Sequence, residues 1–135
     1  MLNTPPLTRD LVLVGGGHAH ALVLRQWGMN PLAGARLTVI NPGPTAPYTG
    51  MLPGHVAGHY GRDTLEIDLM ALARFAGARL ILSHATALDR EARLIHVEGL
   101  GPVAYDAASI DIGITAQMGI EGFAEHATGA KPLNI

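Results

Sequence analysis

The sequence predicts an α/β fold, a parallel sheet wound with helices into which an antiparallel β-meander is inserted. Three observations carry that expectation. Runs of branched and aliphatic residues at 11–14, 36–40 and 79–82 have the continuous apolar character of strands buried on both faces, and helix-like stretches separate them. The chain holds 17 glycines and only 15% charged residues, a balance that suits tightly turned, well-buried elements. Between 85 and 105 the pattern changes to short strand-like runs separated by Asp89-Arg90-Glu91 and Glu98-Gly99-Leu100-Gly101, which read as hairpins. At 135 residues, one domain over 1–135 is long enough to bury a core.

Taken in order, residues 1–9 form a short lead-in that Pro5-Pro6 keeps extended. Leu11-Val12-Leu13-Val14 is the first strand, and Gly15-Gly16-Gly17 follows at once. From residue 18 to 27, Ala, Leu and Val recur at helical spacing, with Leu22, Leu24 and Trp27 expected against the sheet. Gly28 reads as the helix C-cap, and Asn30-Pro31 blocks its resumption. Residues 36–40 form the second strand and complete a βαβ unit. Residues 47–60 are too rich in Gly and Pro for a strand and too apolar for a solvated loop. Such a segment either lines a ligand site or is a packed surface loop. Asp68 is a candidate N-cap for a helix through Met70, Leu72 and Phe75 to Gly77. Residues 79–82 are the third buried strand, 85–89, 93–97 and 103–105 the meander, and 108–113 a last strand ending in glycine. The tail from 115 to 135 has helix-breaking glycines and no clear period.

Strand, glycine turn, helix is the setting of a dinucleotide fingerprint. Gly15 permits the tight turn, Gly17 lets backbone approach a diphosphate, and the helix beginning at His18 and Ala19 aims free N–H groups and its positive dipole end at that anion. His20 stands where the full pattern has its third glycine, so its side chain is expected to point away or to widen the helix–strand crossing. Dinucleotide folds often place an acid at the end of the second strand to hold the ribose. Here the residue is Asn41, whose amide can accept one hydroxyl hydrogen bond and donate another, or simply belong to the Asn41-Pro42-Gly43-Pro44 turn.

Composition narrows the classes further. A formal net charge of −2 gives no basic footprint for nucleic acid. The absence of cysteine removes disulfides, thiolate metal sites and a redox-active disulfide from this stretch. No apolar run reaches membrane-spanning length and the first ten residues are unlike a signal peptide, so a cytoplasmic protein is expected. His18-x-His20 and His55-x3-His59 have metal-ligand spacings but no obvious third ligand, and no metal site is assigned. Nothing points to a hydrolase elbow or a carboxylate pair, and no catalytic residue is assigned.

Three stretches together carry a family resemblance: the strand and turn through His20, the segment Tyr48-Thr49-Gly50-Met51-Leu52-Pro53-Gly54-His55-Val56-Ala57-Gly58-His59-Tyr60, and Tyr105-Asp106 with Ser109-Ile110-Asp111-Ile112-Gly113. They resemble the pyridine nucleotide-disulfide oxidoreductase superfamily, and within it a type II NADH dehydrogenase-like subgroup often fused ahead of a selenide, water dikinase. The likeness runs on through Gly122-Phe123-Ala124-Glu125-His126 and Lys131-Pro132-Leu133. It implies a Rossmann-like FAD-binding half. Gly15, Gly17, His18 and Ala19 would surround the diphosphate, with Asn41 at the ribose position. Tyr48, Thr49, Gly50, Met51 and Leu52 would lie along the isoalloxazine, and the backbone of His84 and Ala85 would meet the adenine. Asp111-Ile112-Gly113 stands where the superfamily commonly has Ala-Thr-Gly, so that Gly113 fits and the two positions before it depart.

Family members are about three times this length, and the resemblance implies a fragment. FAD and the rest of the parent chain, including its nicotinamide-binding domain, are the partners expected. An unpaired sheet edge makes self-association a further expectation. In the intact parent, electrons would pass from NAD(P)H through FAD to an acceptor such as a quinone, and the fragment alone would be inactive. Two other readings stay open: an NAD(P)-binding module of a simpler dehydrogenase, against which the meander argues, and a non-catalytic nucleotide-binding module regulating a fused kinase.

Overall fold

A computed structural model describes residues 6–7, 9–114 and 118–131. Pro5 of the lead-in, Thr115 at the start of the tail, and Pro132 and Leu133 lie outside the described residues. Strand β1 (Arg9–Val14) leads through the glycine turn into α1 (His18–Met29) and then β2 (Ala35–Asn41). A short β3 (Thr45–Pro47), two single-turn 3-10 helices (Thr49–Met51 and Arg62–Leu65) flanking α2 (Leu52–Val56), and β4 (Glu66–Asp68) come next. Helix α3 (Leu69–Ala76) and β5 (Arg79–Leu82) follow. The strands β6 (Ala85–Asp89), β7 (Leu94–Val97) and β8 (Val103–Ala104) precede β9 (Ala107–Ile110), and α4 (Phe123–His126) lies in the tail.

The main sheet has the order β5-β2-β1-β9 and is parallel throughout, while β6-β7-β8 form a separate antiparallel sheet and β3 pairs with β4. The fold is therefore α/β and Rossmann-like, with the meander as the crossover between β5 and β9. By contact, the chain divides into Met1–Ala46 with Asp68–Ile112, and Pro47–Ile67 with Gly113–Ile135.

In the first unit, register and burial follow the period of two. Val12 and Val14 of β1 and Ile40 of β2 pack with Ile95 and Val97 of the meander, so the antiparallel sheet covers one face of the parallel one. Leu13, Leu37 and Val39, all buried, alternate to the other face. Asp106 fixes the return of the crossover: its carboxylate accepts from Asp10 N–H at 2.6 Å and its own N–H donates to the Asp10 carbonyl at 2.8 Å. Asp10 also accepts from Arg36 Nε at 2.6 Å, a bond that raises the Arg36 pKa above its ordinary value.

Helix α3 has the expected ends. Asp68 accepts from Ala71 N–H at 2.9 Å, and Gly77 closes the helix in the left-handed region at φ +63°. Helix α1 departs from expectation. It runs past Gly28 to Met29 and is capped at Asn30, whose N–H donates to the Gln26 carbonyl at 2.9 Å. A side chain at Gly28 would collide with the Phe75 ring, so this glycine serves the close approach of α1 and α3 rather than a chain reversal. Leu24 is fully buried as expected, but Trp27 is half-buried and Leu22 is exposed.

In the second unit, the Gly/Pro-rich segment is not purely irregular. Tyr48 N–H donates to the Leu65 carbonyl at 2.6 Å, the Tyr48 ring covers Gly50, and the Tyr60 ring covers Gly54. The glycines leave room for the aromatic rings. The tail, with its helix-breaking glycines and no clear period, contains the single turn α4 after Gly122 at φ +81°.

Candidate functional site

Each parallel strand of the main sheet ends at the same edge, the carboxyl edge, where open α/β sheets bind ligands. Gly15, Gly16 and Gly17 follow β1, Asn41 ends β2, Ser83 and His84 follow β5, and Asp111 follows β9. The turn is closed by backbone. Gly15 N–H donates to the Ile40 carbonyl at 2.7 Å, Gly17 N–H to the Asp111 carbonyl at 3.2 Å, and Asp111 N–H to the Val14 carbonyl at 2.8 Å. Gly15 takes φ +91°, and a side chain there would strike the backbone of Asp111 and Ile112. Only glycine fits.

Asn41 is engaged within the protein. Its Oδ1 accepts from Gly16 N–H at 2.9 Å and its Nδ2 donates to the Gly43 carbonyl at 2.8 Å. The amide thus joins the glycine turn to the turn after β2, and keeps one N–H and one lone pair for a ligand. The Asn41 carbonyl in turn accepts from Ser83 N–H at 3.1 Å, and the His84 carbonyl accepts from Glu98 N–H at 2.9 Å. Ala85 starts β6 opposite Val97. Gly15, Gly17, His18, Ala19, Asn41, His84 and Ala85 are accordingly placed along one edge of the first unit. Tyr48, Thr49, Gly50, Met51 and Leu52 belong to the second unit, as does Gly113, which takes φ +79°.

His20 does not point away. It is only 2% exposed, with Nδ1 at 2.7 Å from the Gly15 carbonyl and Nε2 at 2.9 Å from Ser109 Oγ. A carbonyl can only accept, so Nδ1 carries the proton, and in the neutral ring Nε2 accepts from the Ser109 hydroxyl. The imidazole ties the glycine turn to β9 in the space a third glycine would leave. His18 is exposed, whereas both ring nitrogens of His20 are engaged within the protein. His55 Nδ1 bonds the Tyr60 carbonyl at 2.9 Å.

Asp111 is the residue whose role the sequence reading missed. Its Oδ2 accepts from the N–H groups of Ala19 at 3.1 Å and His20 at 3.4 Å, and its carboxylate lies against Gly17 where a side chain would otherwise sit. Gly17, the N-cap of α1, has no side chain to cap with, and the first turn holds no acid. A helix of 12 residues with its amide end bare needs an acceptor from elsewhere, and that was the signal available. The carboxylate also tests the site's chemistry, because it is itself an anion seated on the amides of the first turn. The turn matches an anionic group such as a diphosphate in donor chemistry, at the place the Asp111 carboxylate fills.

No protein-family model and no curated protein matches the sequence. Solved structures match the chain's fold. The sulfide:quinone oxidoreductase of the hyperthermophilic bacterium Aquifex aeolicus is 22% identical, with a TM-score of 0.73 over 90% of this chain and 28% of its own. The likeness is one of fold. A NAD-dependent persulfide reductase from A. fulgidus is 23% identical with a TM-score of 0.69, over 87% of this chain and 24% of its own. NDH2 from Plasmodium falciparum, solved in complex with NADH, is 16% identical with a TM-score of 0.69, over 87% of this chain and 25% of its own. The chain thus spans 24–28% of the length of these three structures. Among the described residues, no helix is long and apolar enough to cross a membrane.

Proposed function

We infer that the chain is the FAD-binding part of an NAD(P)H dehydrogenase-like flavoprotein, within a longer protein whose nicotinamide-binding domain completes it. The observation that carries the reading is the glycine turn at the carboxyl edge of the parallel sheet, with its anion seat on the first turn of α1. The meander between β5 and β9 favours FAD over NAD(P), and the names of the fold neighbours speak for redox chemistry linked to NAD(H) or quinone. The type II NADH dehydrogenase-like subgroup, with its kinase fusions, and a cytoplasmic location remain part of this proposal.

In it, Gly15, Gly17, His18 and Ala19 hold the diphosphate, Asn41 offers its remaining amide hydrogen-bonding capacity to the ribose, and His84 and Ala85 border the adenine. Tyr48, Thr49, Gly50, Met51, Leu52 and Gly113 are assigned to the flavin end. FAD, when bound, accepts electrons from NAD(P)H and passes them to an acceptor such as a quinone. The protein's share is to seat the dinucleotide and keep the turn rigid. Titration of the chain with FAD, followed by flavin fluorescence, tests the reading, with NADH as the competing ligand. Binding of FAD that is lost in Gly17→Val supports it. Binding of NADH with none of FAD replaces it with an NAD(P) module.

A further inference from the structure

We propose that Asp111 guards the anion seat: its carboxylate closes the first turn of α1 to free phosphate and yields only to a dinucleotide with further contacts along the sheet edge. The dinucleotide part of this rests on the function proposed above. The argument starts from donors. At the turn, the N–H groups of Gly15, Gly16, Gly17, Ala19 and His20 all have acceptors within the protein, and Ala19 and His20, in the first turn of α1, are held by the Asp111 carboxylate. A diphosphate can reach Ala19 and His20 only when that carboxylate leaves. The two cannot share the place, because both are anions and the room over Gly17 is filled by the carboxylate.

The carboxylate has an advantage that a free ion lacks. It is tethered through the backbone of Asp111, whose N–H and carbonyl are fixed to Val14 and Gly17, so its effective concentration at the seat is on the order of millimolar or above. Free orthophosphate at similar concentration gains nothing by exchange. A dinucleotide brings its adenosine and second half as well, and these contacts can offset the bonds Asp111 gives up. Asp111 also has somewhere to go: it is only part-buried and directly precedes the exposed Ile112. The residue therefore sets affinity and selectivity by competing with the ligand from within.

The experiment uses the full chain and the variants Asp111→Ala and Asp111→Asn, each checked for native circular dichroism. Thermal midpoints are measured with orthophosphate against potassium chloride of equal ionic strength, and FAD affinity by titration. Orthophosphate is expected to raise the midpoint of Asp111→Ala and leave that of the unaltered chain in place. FAD is expected to bind Asp111→Ala at least tenfold more tightly than the unaltered chain. Asp111→Asn, which keeps an acceptor and loses the charge, falls between and serves if the alanine variant does not fold. Equal response to orthophosphate in all proteins, or FAD affinity unchanged or weakened by both substitutions, overturns the proposal. The expected phosphate pattern with FAD bound by none of the proteins upholds the guarded seat and removes the dinucleotide reading.

Discussion

If the Asp111 carboxylate occupies the room left by Gly17, alanine at either position must undo the same interaction. Gly17 has φ −65° and ψ 176°, an extended conformation that alanine adopts freely, so Gly17→Ala introduces no backbone strain. Its methyl group instead takes the volume of the carboxylate and expels it from the amides of Ala19 and His20. Loss of a capping acceptor costs about 1 kcal/mol, and loss of a negative charge at a helix N-terminus adds about 0.3–1 kcal/mol. Each single substitution should therefore cost about 1–2 kcal/mol through this interaction. The double variant should cost about the same, since the second change finds nothing left to break. The coupling in a double-mutant cycle is then about 1–2 kcal/mol, and any effect of Gly17→Ala on the unfolded chain cancels between backgrounds. Urea unfolding followed by far-ultraviolet circular dichroism and by the fluorescence of Trp27, the single tryptophan, measures all four corners. Strict additivity, with a coupling below about 0.5 kcal/mol, would show that the carboxylate is not held over Gly17 and would refute the reasoning.

Two further substitutions probe the frame around the turn. His20→Ala removes a buried ring and leaves the Gly15 carbonyl and the Ser109 hydroxyl without it, and is expected to destabilise the chain by about 2–4 kcal/mol in urea unfolding; a loss below about 1 kcal/mol would mean that the ring does not bridge the two. Thr38 is 1% exposed at the middle of β2, and among the described residues its Oγ1 has no hydrogen-bond partner. Thr38→Val keeps the branched shape and removes the unsatisfied hydroxyl, so the denaturation midpoint should rise by the equivalent of about 1 kcal/mol, and a fall would mean that the hydroxyl is satisfied in solution.

What could be read in the sequence depended on how local its cause was. The strands at 11–14, 36–40 and 79–82 declare themselves because burial on both faces demands a continuous apolar run. Asp68 and Gly77 mark the ends of α3 because both act on backbone within a turn of themselves. Gly28 looked like the same kind of signal and was not. Its cause is the Phe75 ring, which reaches it only once α1 and α3 are packed, and nothing near Gly28 in sequence distinguishes a helix end from a helix crossing. Leu22 is exposed because two residues turn it about 200° around α1 from the buried Leu24, onto the opposite face.

The site shows the same division, and it also joins two departures that looked separate. His20 replaces the third glycine of the fingerprint, and Asp111 replaces the first residue of the Ala-Thr-Gly common in the resembled superfamily. In sequence they are 91 positions apart. In the structure His20 N–H donates to the Asp111 carboxylate, while the His20 ring bonds Ser109, two residues before Asp111 on the same chain segment. A glycine at 20 would leave Ser109 without its partner and loosen the segment that delivers the carboxylate, and an alanine at 111 would leave the His20 amide without an acceptor. The histidine that breaks the fingerprint and the acid at its far side therefore act on the same short stretch of backbone.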